Sequence, residues 1–223
     1  MQNQNEQPGT GQRINDFIQK NRKTIIIAAG ALALILVISI AAFSINDILK
    51  GKAVSAVEEL NSRYESIRHS INEEYMESEA AALLAELETF AEKNSGYAGG
   101  KAWSIIGSIY SEKKDWSEAE AAWAEAAAKS EKSYLAPVAW FNAGIAAEEQ
   151  GKIEEAIDYF SKSLSAPAGF SSAPRAQFSI GRLNETLDNR EAAIAAYRAV
   201  IAGWPYDAVW TNLAHSKIIA LEL

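Results

Sequence analysis

The side chains that could perform chemistry are carboxylates and two histidines. Glutamate pairs such as Glu73-Glu74 and Glu154-Glu155 recur along the chain, and paired carboxylates act as general acid and base where burial separates their pKa values. These pairs occur on otherwise polar helix faces, which indicates a solvated surface. His69 lies four residues from Glu65 and from Glu73, and this spacing predicts a surface ion pair rather than a catalytic site.

Other catalytic signatures are missing from the sequence. It has no cysteine, which excludes thiolate ligands, disulfides and cysteine nucleophiles, and His69 and His215 lie far apart. No glycine-rich phosphate loop follows a strand pattern, and no serine elbow occurs. We therefore expect a protein that is not an enzyme and that needs no metal or cofactor.

Length and charge indicate one folded domain with an appendage. The chain has 223 residues, of which 48% are hydrophobic, and its formal net charge is −8. It is too apolar for a disordered chain and too acidic for a nucleic-acid binder that neutralises phosphates. Residues 1–52 carry a charge of +3 and the remainder −11, which predicts two different environments.

The twenty residues from Thr24 to Phe43 contain no charge. A helix of this length spans about 30 Å, the thickness of a bilayer core, so the sequence predicts a transmembrane helix at 24–43. The alternatives are a buried core helix and a cleaved signal peptide, with Ser39-Ile40-Ala41 as a loose cleavage pattern. The long apolar run and its 23-residue polar lead favour an uncleaved anchor.

The flanking charges predict the orientation of this span. Lys20, Arg22 and Lys23 precede it, whereas Asp47 is the first charge after it. The positive-inside rule places residues 1–23 in the cytoplasm and the acidic body across the membrane. We expect the first dozen residues of this polar lead to be disordered.

Beyond the span the chain repeats itself with a period of 37 residues. Each motif glycine is followed at a constant spacing by an alanine and, about one helical turn further on, by an aromatic residue. The aligned positions are Trp103, Gly107, Tyr110, Ala119 and Trp123, then Trp140, Gly144, Ala156 and Phe160, then Gly181, Ala193 and Tyr197. A fourth copy begins at Trp210, just after Pro205.

This pattern resembles the tetratricopeptide repeat, which reads W-x2-L-G-x2-Y, then A-x3-F, then P, with a slightly shorter period. The extra residues fit in connections that contain Pro137, Pro167 and Pro174. Glycine and alanine are expected where two helices cross closely, with the aromatics filling the space beside them. Asp115-x2-Glu118 and Asp188-x2-Glu191 predict the starts of the second helices. The alternative is an irregular alanine-rich bundle.

Residues 53–99 match the repeat less well and predict a divergent first helical pair. Apolar residues from Val54 to Tyr75 form one stripe at helical spacing, and a second stripe from Leu83 to Phe90 ends before a glycine stop signal. Only Gly51 interrupts the path from the span into the first of these helices.

The repeat array is predicted over 100–223, and Trp210–Leu223 is expected to form its C-terminal capping helix.

The layout of a short lead, one span and a small repeat domain resembles the bacterial ancillary subunit of the Sec translocon. The resemblance covers about residues 13–223 and includes the stretch Phe90…Gly96-Tyr97-Ala98 before the repeats. It implies association with the translocon, periplasmic chaperones and exported chains. It also implies a single-pass protein of the bacterial inner membrane with a cytoplasmic N-terminus and a periplasmic repeat domain.

In tetratricopeptide arrays the first helix of each repeat lines a concave face that holds a peptide. By analogy the inward-pointing residues here are Lys101, Ser104, Ser108, Val138, Phe141, Asn142, Ile145, Arg175, Phe178 and Arg182. We hypothesise that Phe141, Ile145 and Phe178 bind apolar segments of a partner. The alternative is that Phe141 and Phe178 pack between adjacent repeats.

Relatives that bind peptide C-termini clamp the terminal carboxylate with lysine, asparagine and arginine. Here only Asn142 and Arg175 match that clamp, and Ser104, Ser108 and Ser179 replace other members. Recognition of a C-terminal carboxylate by this clamp is therefore not expected.

The sequence as a whole predicts an all-α protein, with one N-terminal transmembrane helix followed by a TPR-like right-handed α-solenoid. Its expected partners are other proteins and the membrane, not nucleic acid or a small-molecule substrate. The favoured function is a protein-interaction module, an adaptor or chaperone-like factor for export on the periplasmic side. The alternatives are a structural scaffold or oligomerisation subunit of an envelope complex without client binding, and a cytoplasm-facing adaptor if the topology is reversed.

Overall fold

The computed structural model describes residues 9–71, 73–166 and 169–223, without the side chains of Gln12 and residues 73–77. In these residues the chain forms nine α-helices and no strand, so the predicted all-α class is confirmed. The predictions made for residues 1–8, for the side chain of Tyr75 and for Pro167 lie outside the described residues. The helices are α1 Thr10–Arg68, α2 Glu73–Lys93, α3 Gly96–Glu112, α4 Trp116–Lys129, α5 Leu135–Glu149, α6 Ile153–Ser165, α7 Ala173–Thr186, α8 Arg190–Gly203 and α9 Ala208–Glu222.

The chain divides into two units between Gly51 and Lys52. The described part of the first unit consists mainly of the N-terminal portion of α1, which is helical from Thr10 where disorder was expected for the first dozen residues. Its apolar side chains are exposed, with Ile27 at 71% and Phe43 at 72%. By length and composition this helix is a candidate membrane span.

The second unit begins with the last turns of α1 and with α2. Four residues of the predicted α1 stripe are buried with Leu83 and Leu87 of α2, namely Val57, Leu60, Tyr64 and Ile67. The stripe does not continue to Tyr75 as predicted, because the helix ends at Arg68 and Ile71 is almost fully exposed. The chain must reverse here, since α2 can bury its leucines against α1 only by returning alongside it.

Three helical pairs follow, α3–α4, α5–α6 and α7–α8, and in each the motif glycine of the first helix faces the aromatic ring of the second. A Cβ atom at the glycine would lie within 2.6–2.8 Å of that ring. The facing residues are Gly107 and Trp123, Gly144 and Phe160, and Gly181 and Tyr197. The ring thus covers the glycine itself rather than the space beside it, and a side chain at this position would displace the second helix.

The motif alanines of the second helices, Ala119, Ala156 and Ala193, are fully buried. At the C-terminal end α9 buries Thr211 and Ala214, and its Trp210 ring lies 5.4 Å from the ring of Phe178. Helix α9 therefore covers apolar side chains of the last pair.

The turns inside the three pairs share one conformation. The residue seven positions after each motif glycine has a left-handed backbone: Lys114 with φ 59°, Gly151 with φ 74° and Asp188 with φ 57°. The next residue donates its N–H to a carbonyl five residues earlier, at 2.9–3.0 Å, which closes the preceding helix. Asp188 is therefore not the N-cap that the sequence predicted, because Asn189 occupies that position in α8.

Candidate functional site

The candidate site is the first-helix face, defined here as the α3, α5 and α7 side chains at the ten predicted groove positions. The structure brings these three helices side by side. The Arg175 guanidinium of α7 lies 5.3 Å from the Phe141 ring of α5, and the Arg182 guanidinium lies 2.6 Å from the Glu148 carboxylate. Helix α3 also contacts α5, so the three first helices form a continuous surface from α3 to α7.

A cleft of about 360 Å³ opens beside this face between α1, α3, α4 and α5. It brings together three predicted site residues, Ser108, Asn142 and Ile145. The other lining residues are Tyr64, Arg68, Ser111, Glu112, Trp116, Trp123 and Ala146. Sequence reasoning missed the α1 contribution, because Tyr64 was assigned to the apolar stripe and nothing in the sequence pairs Arg68 with the repeats.

The α1 wall of the cleft is fixed by one carboxylate. The Tyr64 hydroxyl donates to Glu112 Oε1 at 2.8 Å, and Arg68 Nε lies 3.1 Å from the same oxygen. Burial raises the pKa of Tyr64, and the Glu112 carboxylate raises it further. Tyr64 therefore stays a neutral hydrogen-bond donor, and this ion pair holds the end of α1 against α3.

Phe141 does not present its ring to the face as predicted. It is 6% exposed, and its ring centroid lies 5.4 Å from that of Phe160 and 5.7 Å from that of Phe170. Phe178 is half-buried, with ring centroids of Tyr197 and Trp210 at 5.0 and 5.4 Å. These phenylalanines pack within and between pairs, because the position three residues before the glycine points toward the second helix.

The remaining polar residues of the face differ in how far their hydrogen bonds are satisfied. The hydroxyls of Ser104 and Ser108 donate to carbonyls of their own helix at 2.8 and 3.0 Å. Arg182 is paired with Glu148. By contrast, the structure gives the side chains of Lys101 and Asn142 no hydrogen bond or ion pair to any described residue. These two groups, with exposed Arg175 and Val138, are available to another molecule.

Ion pairs link neighbouring repeats through the residue four positions after the glycine. Glu148 of α5 binds Arg182 of α7 at 2.6 Å, and Glu185 of α7 binds Lys217 of α9 at 3.0 Å. Glu185 also accepts a hydrogen bond from the Tyr197 hydroxyl, and burial together with this bond raises the pKa of Tyr197. The carboxylates at this position therefore tie the second repeat to the third and the third to α9, whereas the first repeat has Ser111 there.

A second carboxylate cluster lies between α4 and α6. Glu120 accepts hydrogen bonds from Lys152 and Gln150, both at 2.8 Å, and from Tyr159 at 3.2 Å. Burial alone would raise the pKa of Glu120, but these bonds outweigh it and the pKa is lowered. Burial and Glu120 raise the pKa of Tyr159 to about 12. The cluster joins two repeats.

Within the described ranges, no three histidine, aspartate or glutamate side chains are placed to hold a metal ion. His69 lies on the surface, with its Nδ1 2.7 Å from the Glu65 carbonyl oxygen.

Comparison with known families identifies the repeats. Models described as tetratricopeptide repeat match residues 106–170 and residues 174–202. The chain contains tetratricopeptide repeats. A "TPR repeat-containing protein" of Treponema pallidum (strain Nichols) is 35% identical over 144 residues, which are 64% of this chain and 59% of the relative. The chain thus spans under two thirds of the length of this relative.

The tetratricopeptide repeats contain most of the candidate face. The two matched ranges include eight of its ten residues, and only Lys101 and Ser104 precede them. The first-helix face is therefore carried by the repeats themselves. The resemblance to the Sec subunit stays a prediction.

Proposed function

We propose that this chain is a membrane-anchored module that binds other proteins through the first-helix face of its tetratricopeptide repeats, without catalysing a reaction. The observation that carries the proposal is the cleft between α1, α3, α4 and α5, which places the unsatisfied amide of Asn142 beside the half-buried Ile145. Clefts that combine apolar walls with a few polar groups are typical binding sites. The apolar stretch of α1 supports the anchor.

Site-specific crosslinking tests the use of this face. A photo-crosslinking amino acid at Val138, which is 38% exposed, should form adducts with other proteins in intact cells. The matched control is exposed Glu125 on α4, away from the face, where adducts should be few. Equal adduct yields at the two positions would refute the first-helix face as the binding surface.

The identity of the adducts separates the two classes of function. We propose an adaptor or chaperone-like factor near protein export, which should crosslink to many secretory proteins in transit. A single folded partner in stoichiometric amount would instead support the scaffold alternative. The export role draws its support from the resemblance of the layout to the Sec subunit.

We propose that the repeats face the non-cytoplasmic side of the membrane, on the basis of the charges at Lys20, Arg22 and Lys23. A cysteine replacing exposed Ser171 should react with a membrane-impermeant thiol reagent in intact cells, because the chain has no native thiol. A cysteine replacing Asp16 is the matched control and should react only after lysis. The opposite pattern would establish the reversed topology.

A further inference from the structure

The first-helix face is positively charged at two matching positions of an acidic domain. Residues beyond 52 carry a net charge of −11, yet Lys101 and Arg175 both lie six residues before a motif glycine. The corresponding residue of the middle repeat is Val138. Three neighbouring first helices therefore present a cation, an apolar group and a cation in register.

Neither of these two cations is neutralised by an ion pair within the described residues. Three other basic residues on or beside the first helices are paired: Arg68 with Glu112, Arg182 with Glu148 and Lys217 with Glu185. Lys101 has no carboxylate partner among the described residues, and neither does Arg175.

Arg175 is held in position without being neutralised. Its guanidinium lies 5.3 Å from the ring centroid of Phe141, and Phe141 is itself fixed between Phe160 and Phe170. A cation–π contact orients the guanidinium but leaves its charge available to an anion. The buried phenylalanine thus acts as the support of a charged group on the surface.

We propose that this face binds an extended acidic segment of another protein, with carboxylates on Lys101 and Arg175 and an apolar side chain on Val138. This rests on the proposed protein-binding function and adds the chemistry of the partner. Packed helices lie about 8–10 Å apart, so the two cations are separated by about 20 Å, or about six residues of extended chain. The free amide of Asn142 can bond the backbone of such a segment in the adjoining cleft.

The test is a peptide selection on the full chain, held in nanodiscs of zwitterionic lipid. Displayed random dodecapeptides should enrich aspartate and glutamate at a spacing of about six residues around an aliphatic residue. The Lys101→Glu/Arg175→Glu variant should bind a selected acidic peptide at least about tenfold more weakly and should enrich basic peptides instead. The affinity of the natural chain should fall as salt rises.

A charge-matched control distinguishes the effect of the two cations of the face on peptide affinity from the effect of the overall net charge. Lys113→Glu/Lys129→Glu changes the net charge equally at exposed lysines outside the face, and it should leave the affinity within about twofold. An unchanged helical circular dichroism spectrum will show that the Lys101→Glu/Arg175→Glu variant is folded. The Lys101→Gln/Arg175→Gln variant, which removes the two charges without reversing them, provides a milder second test.

Three outcomes of the peptide experiments would overturn the inference. They are selection of no peptide, selected peptides without acidic residues, and equal loss of binding in the control variant. If peptides without carboxylates bind and crosslink at Val138, the inference fails while the proposed function stands. If Val138 also forms no adducts in cells, the proposed function fails as well. Binding to vesicles of anionic lipid, in place of acidic peptides, would also contradict the proposal.

Discussion

Replacing Gly144 tests the central packing contact of the repeats. A Cβ atom there would lie 2.8, 2.9 and 3.1 Å from three carbons of the Phe160 ring. Carbon atoms in good contact are about 3.5–4.0 Å apart, so a methyl group overlaps the ring by several tenths of an ångström. Phe160 is 1% exposed and touches Phe141, so its ring has no solvent-filled space to enter.

The expected change in the free energy of unfolding is the difference between two opposing effects. Overpacking a core costs about 1–3 kcal/mol. A change from glycine to alanine inside a helix contributes about 1 kcal/mol in the other direction. Gly144→Ala should therefore lower the free energy of unfolding by up to about 2 kcal/mol, and Gly144→Leu by about 3 kcal/mol because its side chain extends further into the ring. For a chain of this size, each 1 kcal/mol lowers Tm by about 2–4 °C.

The assay is thermal unfolding of the full chain in detergent, followed by far-ultraviolet circular dichroism. The matched control is Gly203→Ala at the end of α8, where a Cβ atom meets nothing within 4 Å. It should leave Tm unchanged or slightly raised.

A double-mutant cycle with Phe160→Leu isolates the clash. The loss of unfolding free energy caused by Phe160→Leu should be about 1 kcal/mol smaller in the Gly144→Ala background than in the natural chain. An unchanged Tm for Gly144→Leu, or no coupling in the cycle, would refute the assigned register of the repeats.

Three further predictions concern turns, pH and the division between core and face. Lys114→Gly should raise the urea midpoint of unfolding by the equivalent of about 1 kcal/mol, and Gly151→Ala should lower it by a similar amount, because both positions have a left-handed backbone. Shifts of the midpoint in the same direction for both variants would contradict this explanation. Since the folded-state pKa of Glu120 is lowered, its contribution to stability is complete above its ordinary value of 4.5 and is lost as pH falls below it. Glu120→Gln should reduce this acid dependence in urea titrations from acid to neutral pH, and an identical pH profile would refute the role of the cluster. Phe141→Ala should lower stability by about 3–5 kcal/mol, whereas Val138→Ser should weaken partner crosslinking and leave Tm unchanged; the reverse result would show that Phe141 belongs to the face after all.

The sequence alone predicts the helix pairs and the candidate span because both depend on local patterns. The high hydropathy of the apolar run in α1 depends only on adjacent residues. The motif glycine and its aromatic partner belong to the same helix pair. Because three copies share one register, the sequence predicts that Gly144 and Phe160 belong to paired helices, but only the structure shows that the Phe160 ring lies on the glycine itself. The period also locates the turns, although it gives no indication that Lys114 has a left-handed backbone.

Only the tertiary structure decides which residues of the first helices are exposed. Phe141 is buried because Phe170, from the connection after α6, packs on it, and this contact depends on how the following repeat docks. The same docking gives Arg182 a carboxylate partner and leaves Arg175 without one. Helical spacing specifies a face only approximately, while burial and charge pairing depend on atoms that the neighbouring repeat contributes. The pattern of residues therefore determined the repeats, and the packing between them determined which side chains those repeats expose.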